Sequence, residues 1–228
     1  MGAMLAYALA TLRTAMRSPL TWVLLVLGTF FGWFAVSLAV LALDEAGAQA
    51  EPLTLSTAHL AGVFLTLWLV GRSIDEDRTS GFAAAADVTP AGHVGRILGR
   101  FVGAVGAGTA LALLTSMLID VTSKHPAPGS GYLLYTSILA CAQVGAWGIL
   151  LGTLWRGGGA TLAAFLLWLL GHLPWGAAPF LDGPVGRALG AWLPGPRTAV
   201  GLEALGYTSA AVAGLMLVAL AMSRPADA

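Results

Sequence analysis

The 228-residue chain carries too few charges for an ordinary soluble protein. Charged residues make up 10% of it and hydrophobic residues 57%, whereas an average soluble domain is roughly 25% charged. The formal net charge of zero argues against nucleic acid as a partner, because phosphate binding needs an excess of Lys and Arg. One cysteine, Cys141, excludes a disulfide within the chain. We therefore expect one integral membrane domain over residues 1–228.

The N-terminal segment 3–18 predicts an amphipathic helix. Four apolar residues recur at helical spacing, namely Leu5, Leu9, Leu12 and Met16. Arg13 and Arg17 fall on a different face. Such a pattern is typical of a helix that lies along the inner membrane surface. The alternative is a plain cytoplasmic extension of the first span, and the Ser18-Pro19 pair favours a bend between the two segments.

Six apolar runs have the length of a membrane span, which is about 20 residues for a helix. They are Thr21–Leu43, Leu53–Gly71, Phe101–Ile119, Tyr132–Trp155, Ala160–Pro179 and Thr198–Met222. The runs are continuous rather than alternating, so they predict helices and not barrel strands. The expected fold is all-α and polytopic, with six transmembrane helices.

The basic residues predict the direction of these spans. If both termini are cytoplasmic, eight of the 11 Lys and Arg residues face the cytoplasm: Arg13, Arg17, Arg72, Arg78, Arg96, Arg100, Arg156 and Arg224. Lys124, Arg187 and Arg197 then face outward. Cytoplasmic loops carry an excess of Lys and Arg. We therefore expect a multi-pass protein of the bacterial cytoplasmic (inner) membrane with both termini inside.

A charged island, residues 72–100, separates the second and third predicted spans. It holds eight of the 22 charged residues, and the flanking runs hold none. The island begins Asp75-Glu76-Asp77-Arg78-Thr79-Ser80-Gly81-Phe82 and continues through an alanine run to Asp87-Val88-Thr89-Pro90. Thr89 ends the helix-forming stretch because the residue before proline avoids the helical region. The island therefore predicts a cytoplasmic loop that contains a short helix.

The spacing of this island resembles that of the type 2 ABC exporter permeases. Pro90 follows Gly81 by nine residues, and Arg100 of the Gly99-Arg100 pair follows Pro90 by ten. In that family, acids precede a small-residue pair, then a proline, and then Gly-Lys at the same spacing. The six spans and the N-terminal helix are similar as well. The run Ala83–Ala86 departs from the leucines and glutamate that the family carries there.

The resemblance implies that this chain is the permease subunit of an ATP-driven exporter. Thr79 to Asp87 would form the coupling helix and dock in a groove of an ATPase subunit. The residues expected to couple are Glu76, Asp77, Arg78, Ser80, Gly81, Phe82, Asp87 and Pro90. Glu76 or Asp77 is then expected to pair with Arg13 or Arg17. A second permease copy, or a sister permease, would complete the exporter within the membrane lipids.

ATP and magnesium are expected in the ATPase subunit and not in this chain. A phosphate-binding loop needs glycines followed by Lys and Ser or Thr, but the only lysine, Lys124, lies in a predicted outer loop. We expect no catalytic, cofactor or metal site, and no enzyme activity. Glu203 and His172 lie near membrane ends and are candidates for the translocation path, because ionisable residues in spans are often functional.

Other interpretations stay open on the sequence alone. Arg156-Gly157-Gly158 also resembles the haem-exporter B subunit of cytochrome c maturation. An intramembrane enzyme would use Ser130 with His172 as base, and a substrate-capturing subunit of a vitamin importer is a further alternative. The substrate is open too, and the scarcity of charge in the spans favours an amphipathic cargo.

Two series of glycines predict close packing between helices, since small residues let helices approach in lipid. The first lies on the third span: Gly92, Gly95, Gly99, Gly103 and Gly106. The second lies on the fourth span: Gly145, Gly148 and Gly152. A ligand role is the weaker interpretation for both.

Overall fold

A computed structural model describes residues 2–42, 46–79, 90–123, 130–155, 158–172 and 202–222, and these form seven helices. In chain order they are α1 (Gly2–Arg17), α2 (Pro19–Ala42), α3 (Ala46–Thr79), α4 (Pro90–Ser123), α5 (Ser130–Leu154), α6 (Gly158–His172) and α7 (Leu202–Met222). No strand occurs in these ranges. The prediction of an all-helical fold is confirmed for the described part of the chain.

Four of the helices are long and apolar enough to cross a membrane. The stretches are Pro19–Leu38, Ser56–Asp77, Gly92–Ser123 and Leu133–Leu154, and they overlap the first four predicted spans, with bounds that differ by up to nine residues. The apolar stretches of α6 and α7, Gly158–Trp168 and Thr208–Met222, are shorter. A membrane-embedded helical protein is therefore supported, while the count of six spans stays a prediction.

Ser18 ends α1 and begins α2, as the Ser18-Pro19 pair predicts. The Ser18 amide donates to the Ala15 carbonyl (3.2 Å), which closes the last turn of α1. The Ser18 hydroxyl accepts from the Leu20 amide (3.2 Å), which is the role of an N-cap serine. Pro19 occupies the first helical position, where its missing N–H costs nothing. One residue therefore satisfies the backbone on both sides of the break between the two helices.

The small-residue face of α1 packs lengthwise on α4. A Cβ atom added to Gly99 would lie 2.5 Å from the Met4 carbonyl oxygen, and one added to Gly103 would lie 2.8 Å from the Thr11 Cβ. The contacts advance along both helices in the same direction, so α1 follows the axis of α4. This alignment differs from a helix that lies flat across the base of an upright bundle. The predicted packing role is confirmed for Gly95, Gly99 and Gly103, whereas a Cβ on Gly106 would meet only Leu12, at 4.0 Å.

The opposite face of α1 is apolar and exposed. Leu5, Leu9 and Met16 are 62%, 45% and 68% exposed, whereas Leu12 packs against the core. Contact of this face with lipid is the arrangement expected of an amphipathic helix at a membrane. Because α1 follows the axis of α4, the structure favours the alternative prediction, an extension of the first span, over a helix that lies along the inner membrane surface.

The core of the bundle is centred on α3 and α5. One cluster of buried residues joins both helices to α1, α4 and α7, and includes Leu65, Leu69 and Leu150. A second joins them to α6 around Trp168. The glycines of α5 allow this packing because Gly145, Gly148 and Gly152 face side chains of α3. The predicted packing role of this second series is also confirmed.

The outer face of α2 is the main apolar surface of the described bundle. Only 11% of its Pro19–Leu38 window is buried, and the exposed side chains include Phe30, Phe31, Trp33 and Phe34. The other face of α2 contacts the bundle through Gly28 and neighbouring residues, where a Cβ would lie 3.1 Å from the Thr115 Cγ2. This distribution is the one expected of a helix between protein and lipid.

Candidate functional site

The charged ends of α3 and α4 extend beyond what a membrane crossing requires. Each helix has 34 residues, which gives a length of about 51 Å, whereas the hydrocarbon core is about 30 Å thick. The acids and arginines of the island lie at the C-terminal end of α3 and the N-terminal end of α4. We name this the arginine end of the bundle, after Arg72, Arg96 and Arg100.

A buried ion cluster at the arginine end joins α3 to α4. The Asp77 carboxylate accepts from the Arg96 Nη1 (3.0 Å) through one oxygen and from the Arg100 Nη2 (2.9 Å) through the other. The Asp77 side chain is 5% exposed, and those of Arg96 and Arg100 are 11% and 16% exposed. Hydrogen bonds between charged groups shielded from water are stronger than exposed ones. The cluster therefore ties the two helix ends together.

The geometry of this cluster follows from helix periodicity. Arg96 and Arg100 are four residues apart on α4, so they share one face. Their two positive charges would repel each other without the carboxylate of Asp77 between them. Helix α1 joins the cluster as well, because the Arg100 guanidinium lies 5.7 Å from the centroid of the Tyr7 ring, within the range of a cation–π interaction. The cluster thus connects three helices.

A second ion pair, between Arg72 and Glu76, lies on the surface of α3 and includes the residue next to Asp77. The Arg72 Nε donates to the Glu76 carboxylate, and the two side chains are 48% and 45% exposed. The Arg72 guanidinium also lies 5.2 Å from the centroid of the Trp68 ring. An exposed pair at this spacing stabilises a helix by only about 0.3–0.5 kcal/mol. Glu76 is therefore far less tightly held than Asp77.

The predicted pairing of Glu76 or Asp77 with Arg13 or Arg17 is wrong. Asp77 is bound by Arg96 and Arg100, and Glu76 is bound by Arg72. Arg13 and Arg17 are exposed on α1. The physical reason is the packing of α1, which presents its small residues to α4 and points both arginines away from that interface.

Most of the predicted coupling residues lie outside what the structure describes. This is so for Ser80, Gly81, Phe82 and Asp87. Pro90 begins α4, which agrees with its expected place in a first turn. Arg78 lies within α3, although its side chain is outside the described part. The coupling helix over Thr79 to Asp87 stays a prediction.

The residues proposed for the translocation path are not brought together by anything the structure describes. His172 is the last residue of α6 and Glu203 the second of α7, and neither side chain is described. The same holds for Ser130 at the start of α5 and for Arg156 and Gly157, which carry the alternative interpretations. In the described ranges, no group of three His, Cys, Asp or Glu side chains is arranged to hold a metal ion.

The spacing of two arginines in the sequence was a partial signal for the Asp77 cluster, but the predicted ion pairing did not take it into account. Arg96 and Arg100 stand at a four-residue spacing just before an apolar run, which is the arrangement expected of two side chains that bind one acid. The acid they bind depends on how α3 and α4 cross. That crossing is set at Gly62 and Gly108, where a Cβ on Gly62 would lie 2.6 Å from the Gly108 carbonyl oxygen.

No known family model matches this chain, and no curated protein matches it.

The arginine end also holds a groove between α2, α3 and α6, with a volume of about 710 Å³. Apolar side chains form its floor, including Leu24, Phe64 and Phe165, and the polar residues Arg72, Asp75 and Glu76 lie at its mouth. The Phe64 and Phe165 ring centroids are 4.6 Å apart. The groove is amphipathic along its length.

Proposed function

We propose that this chain is the membrane-spanning permease subunit of an ATP-driven exporter. A separate ATPase subunit would bind ATP and magnesium, and a second copy of this chain or a sister permease would complete the pathway. In this proposal the protein lies in the bacterial inner membrane with six spans, both termini in the cytoplasm and the arginine end facing the ATPase.

The main support for the proposal is the Asp77 ion cluster, which joins the two helix ends on either side of residues 80–89. Asp77 is two residues before the end of α3, and Arg96 is six residues after the start of α4. The cluster joins them through two hydrogen bonds of about 3 Å. A force applied to the loop between these helices would therefore move α3 and α4 together instead of bending one of them.

The packing of α1 extends the same effect to a third helix. Gly99 and Gly103 bring α4 into backbone contact with α1, and Tyr7 lies against Arg100. A displacement of the loop would thus reach α1 and, through Ser18, the beginning of α2. This connection supports the proposal, because it would let ATP binding in a partner subunit change the opening of a cavity between two permeases.

Cysteine crosslinking tests the proposal directly. The natural cysteine, Cys141, is buried, so a Cys141→Ala background leaves only the introduced thiol. A short crosslinker on Ser80→Cys is expected to capture an ATP-binding subunit when the protein is purified from its native membrane. The matched control is Thr122→Cys, because Thr122 is exposed at the opposite end of α4 and is expected to capture none.

Two results contradict the proposal. One is labelling of Ser80→Cys in intact cells by a membrane-impermeant maleimide, which locates the loop outside. The other is the absence of any ATP-binding subunit from the native complex and from both crosslinked samples.

A further inference from the structure

The groove between α2, α3 and α6 has the size and polarity of a site for one amphiphile. Its volume of about 710 Å³ lies within the range of small-molecule sites, about 300–1,000 Å³. Its floor extends along α3 from Phe64 to Arg72, about 12 Å at the rise of a helix.

The charges at the mouth of the groove are asymmetric. Arg72 provides one positive charge, and Asp75 and Glu76 provide two negative ones. Glu76 is bound by Arg72, whereas no ion pair joins Asp75 to another side chain that the structure describes, a set that does not include Arg78. The three side chains are three and four residues apart and thus lie on one face of α3. The mouth therefore offers a cation beside an acid that has no ion pair among the described side chains.

We propose that this groove binds a phospholipid with a phosphoethanolamine headgroup. Its ammonium would lie at Asp75 and Glu76, its phosphate at Arg72, and an acyl chain along the floor, over the contacting rings of Phe64 and Phe165. An anionic phospholipid would add negative charge to a mouth whose net charge is already negative. A choline headgroup has no N–H to donate, whereas a primary ammonium donates up to three hydrogen bonds to the carboxylates.

The position of the groove agrees with this occupant. Leu162 at its edge is 59% exposed and Phe64 on its floor is 36% exposed, so the apolar part opens sideways as a lipid tail requires. Trp68 lies beneath Arg72, and aromatic residues favour the interface between headgroups and tails. The proposal goes beyond export and does not depend on an ATPase subunit.

Native mass spectrometry of the purified chain tests the proposal with three lipids of matched tails: phosphatidylethanolamine, phosphatidylcholine and phosphatidylglycerol. We expect phosphatidylethanolamine to bind most tightly and phosphatidylglycerol least. The variant Asp75→Asn is expected to weaken phosphatidylethanolamine binding about tenfold, because the ammonium then meets a neutral amide oxygen in place of a carboxylate. The matched control Arg13→Gln removes an exposed charge outside the groove and is expected to change nothing.

A second variant tests the floor separately from the headgroup. Leu162→Trp adds a large ring at the edge of the groove and is expected to weaken all three lipids, while Asp75→Asn affects phosphatidylethanolamine alone. The proposal is overturned if phosphatidylglycerol binds best, if Asp75→Asn and Arg13→Gln have the same effect, or if Leu162→Trp leaves binding unchanged. Displacement of a second copy of this chain by Leu162→Trp, with lipid binding unaltered, also overturns it. Because only the isolated chain is measured, the outcome is independent of crosslinking at Ser80.

Discussion

The contact between α1 and α4 predicts different effects for the same substitution, Gly→Ala, at two glycines of α4. Gly99 and Gly106 lie about two turns apart on α4. A Cβ on Gly99 would lie 2.5 Å from the Met4 carbonyl oxygen and 2.6 Å from the Tyr7 Cβ. A Cβ on Gly106 would meet only the end of the Leu12 side chain, at 4.0 Å. The two Gly→Ala changes therefore differ mainly in sterics.

Two opposing contributions set the change in the free energy of α1 docking: a steric cost and a gain in helix propensity. Added atoms in a well-packed contact cost about 1–3 kcal/mol, and Gly99→Ala belongs to the upper part of that range because both obstructing atoms are fixed to the α1 backbone. Replacing glycine by alanine within a helix contributes up to about 1 kcal/mol of stability. We expect Gly99→Ala to weaken the docking of α1 by about 1–2 kcal/mol, which is a factor of about 5–30. Gly106→Ala is expected to be neutral or stabilising.

Limited trypsin digestion in mild detergent measures this docking. Arg13 and Arg17 are exposed on α1, yet cleavage there requires local unfolding of the helix. When opening and closing are fast, the cleavage rate follows the population of the open form. Gly99→Ala should accelerate cleavage in α1 about 5–30-fold, and Gly106→Ala should not. Equal cleavage of the two variants would refute the close packing of α1 on α4.

Two further predictions concern the stability of the bundle, measured by denaturant unfolding of the solubilised protein. Asp77→Asn removes the carboxylate that the largely buried side chains of Arg96 and Arg100 share and should lower the free energy of unfolding by about 3–5 kcal/mol. Glu76→Gln removes only an exposed pair and should lower it by at most about 0.5 kcal/mol, so equal losses would contradict the buried cluster. Gly62→Ala should destabilise more than Gly152→Ala, because the added methyl meets a backbone oxygen at Gly62 and the flexible end of an isoleucine at Gly152. The reverse order would contradict the α3–α4 crossing.

The membrane character and much of the helical fold were predictable from the sequence. Long apolar runs form helices in lipid, because a helix makes its backbone hydrogen bonds within the segment. The break at Ser18-Pro19 was predictable as well, because capping and the restrictions of proline act locally. The glycine series indicated close packing but could not identify the partner helix.

Only the tertiary structure decided which charged side chains form ion pairs with each other. The charges of Asp77 and Glu76 are adjacent and chemically alike, yet Asp77 is buried between Arg96 and Arg100 while Glu76 stays exposed with Arg72. Neighbouring residues on a helix point about 100° apart, so only the crossing of α3 and α4 determines which acid turns inward. The groove at Arg72 is likewise a property of three helices that are distant in the chain. The sequence by itself determined which segments form apolar helices, because that depends on local composition. The tertiary structure decided which side chains meet, because that depends on how the helices cross.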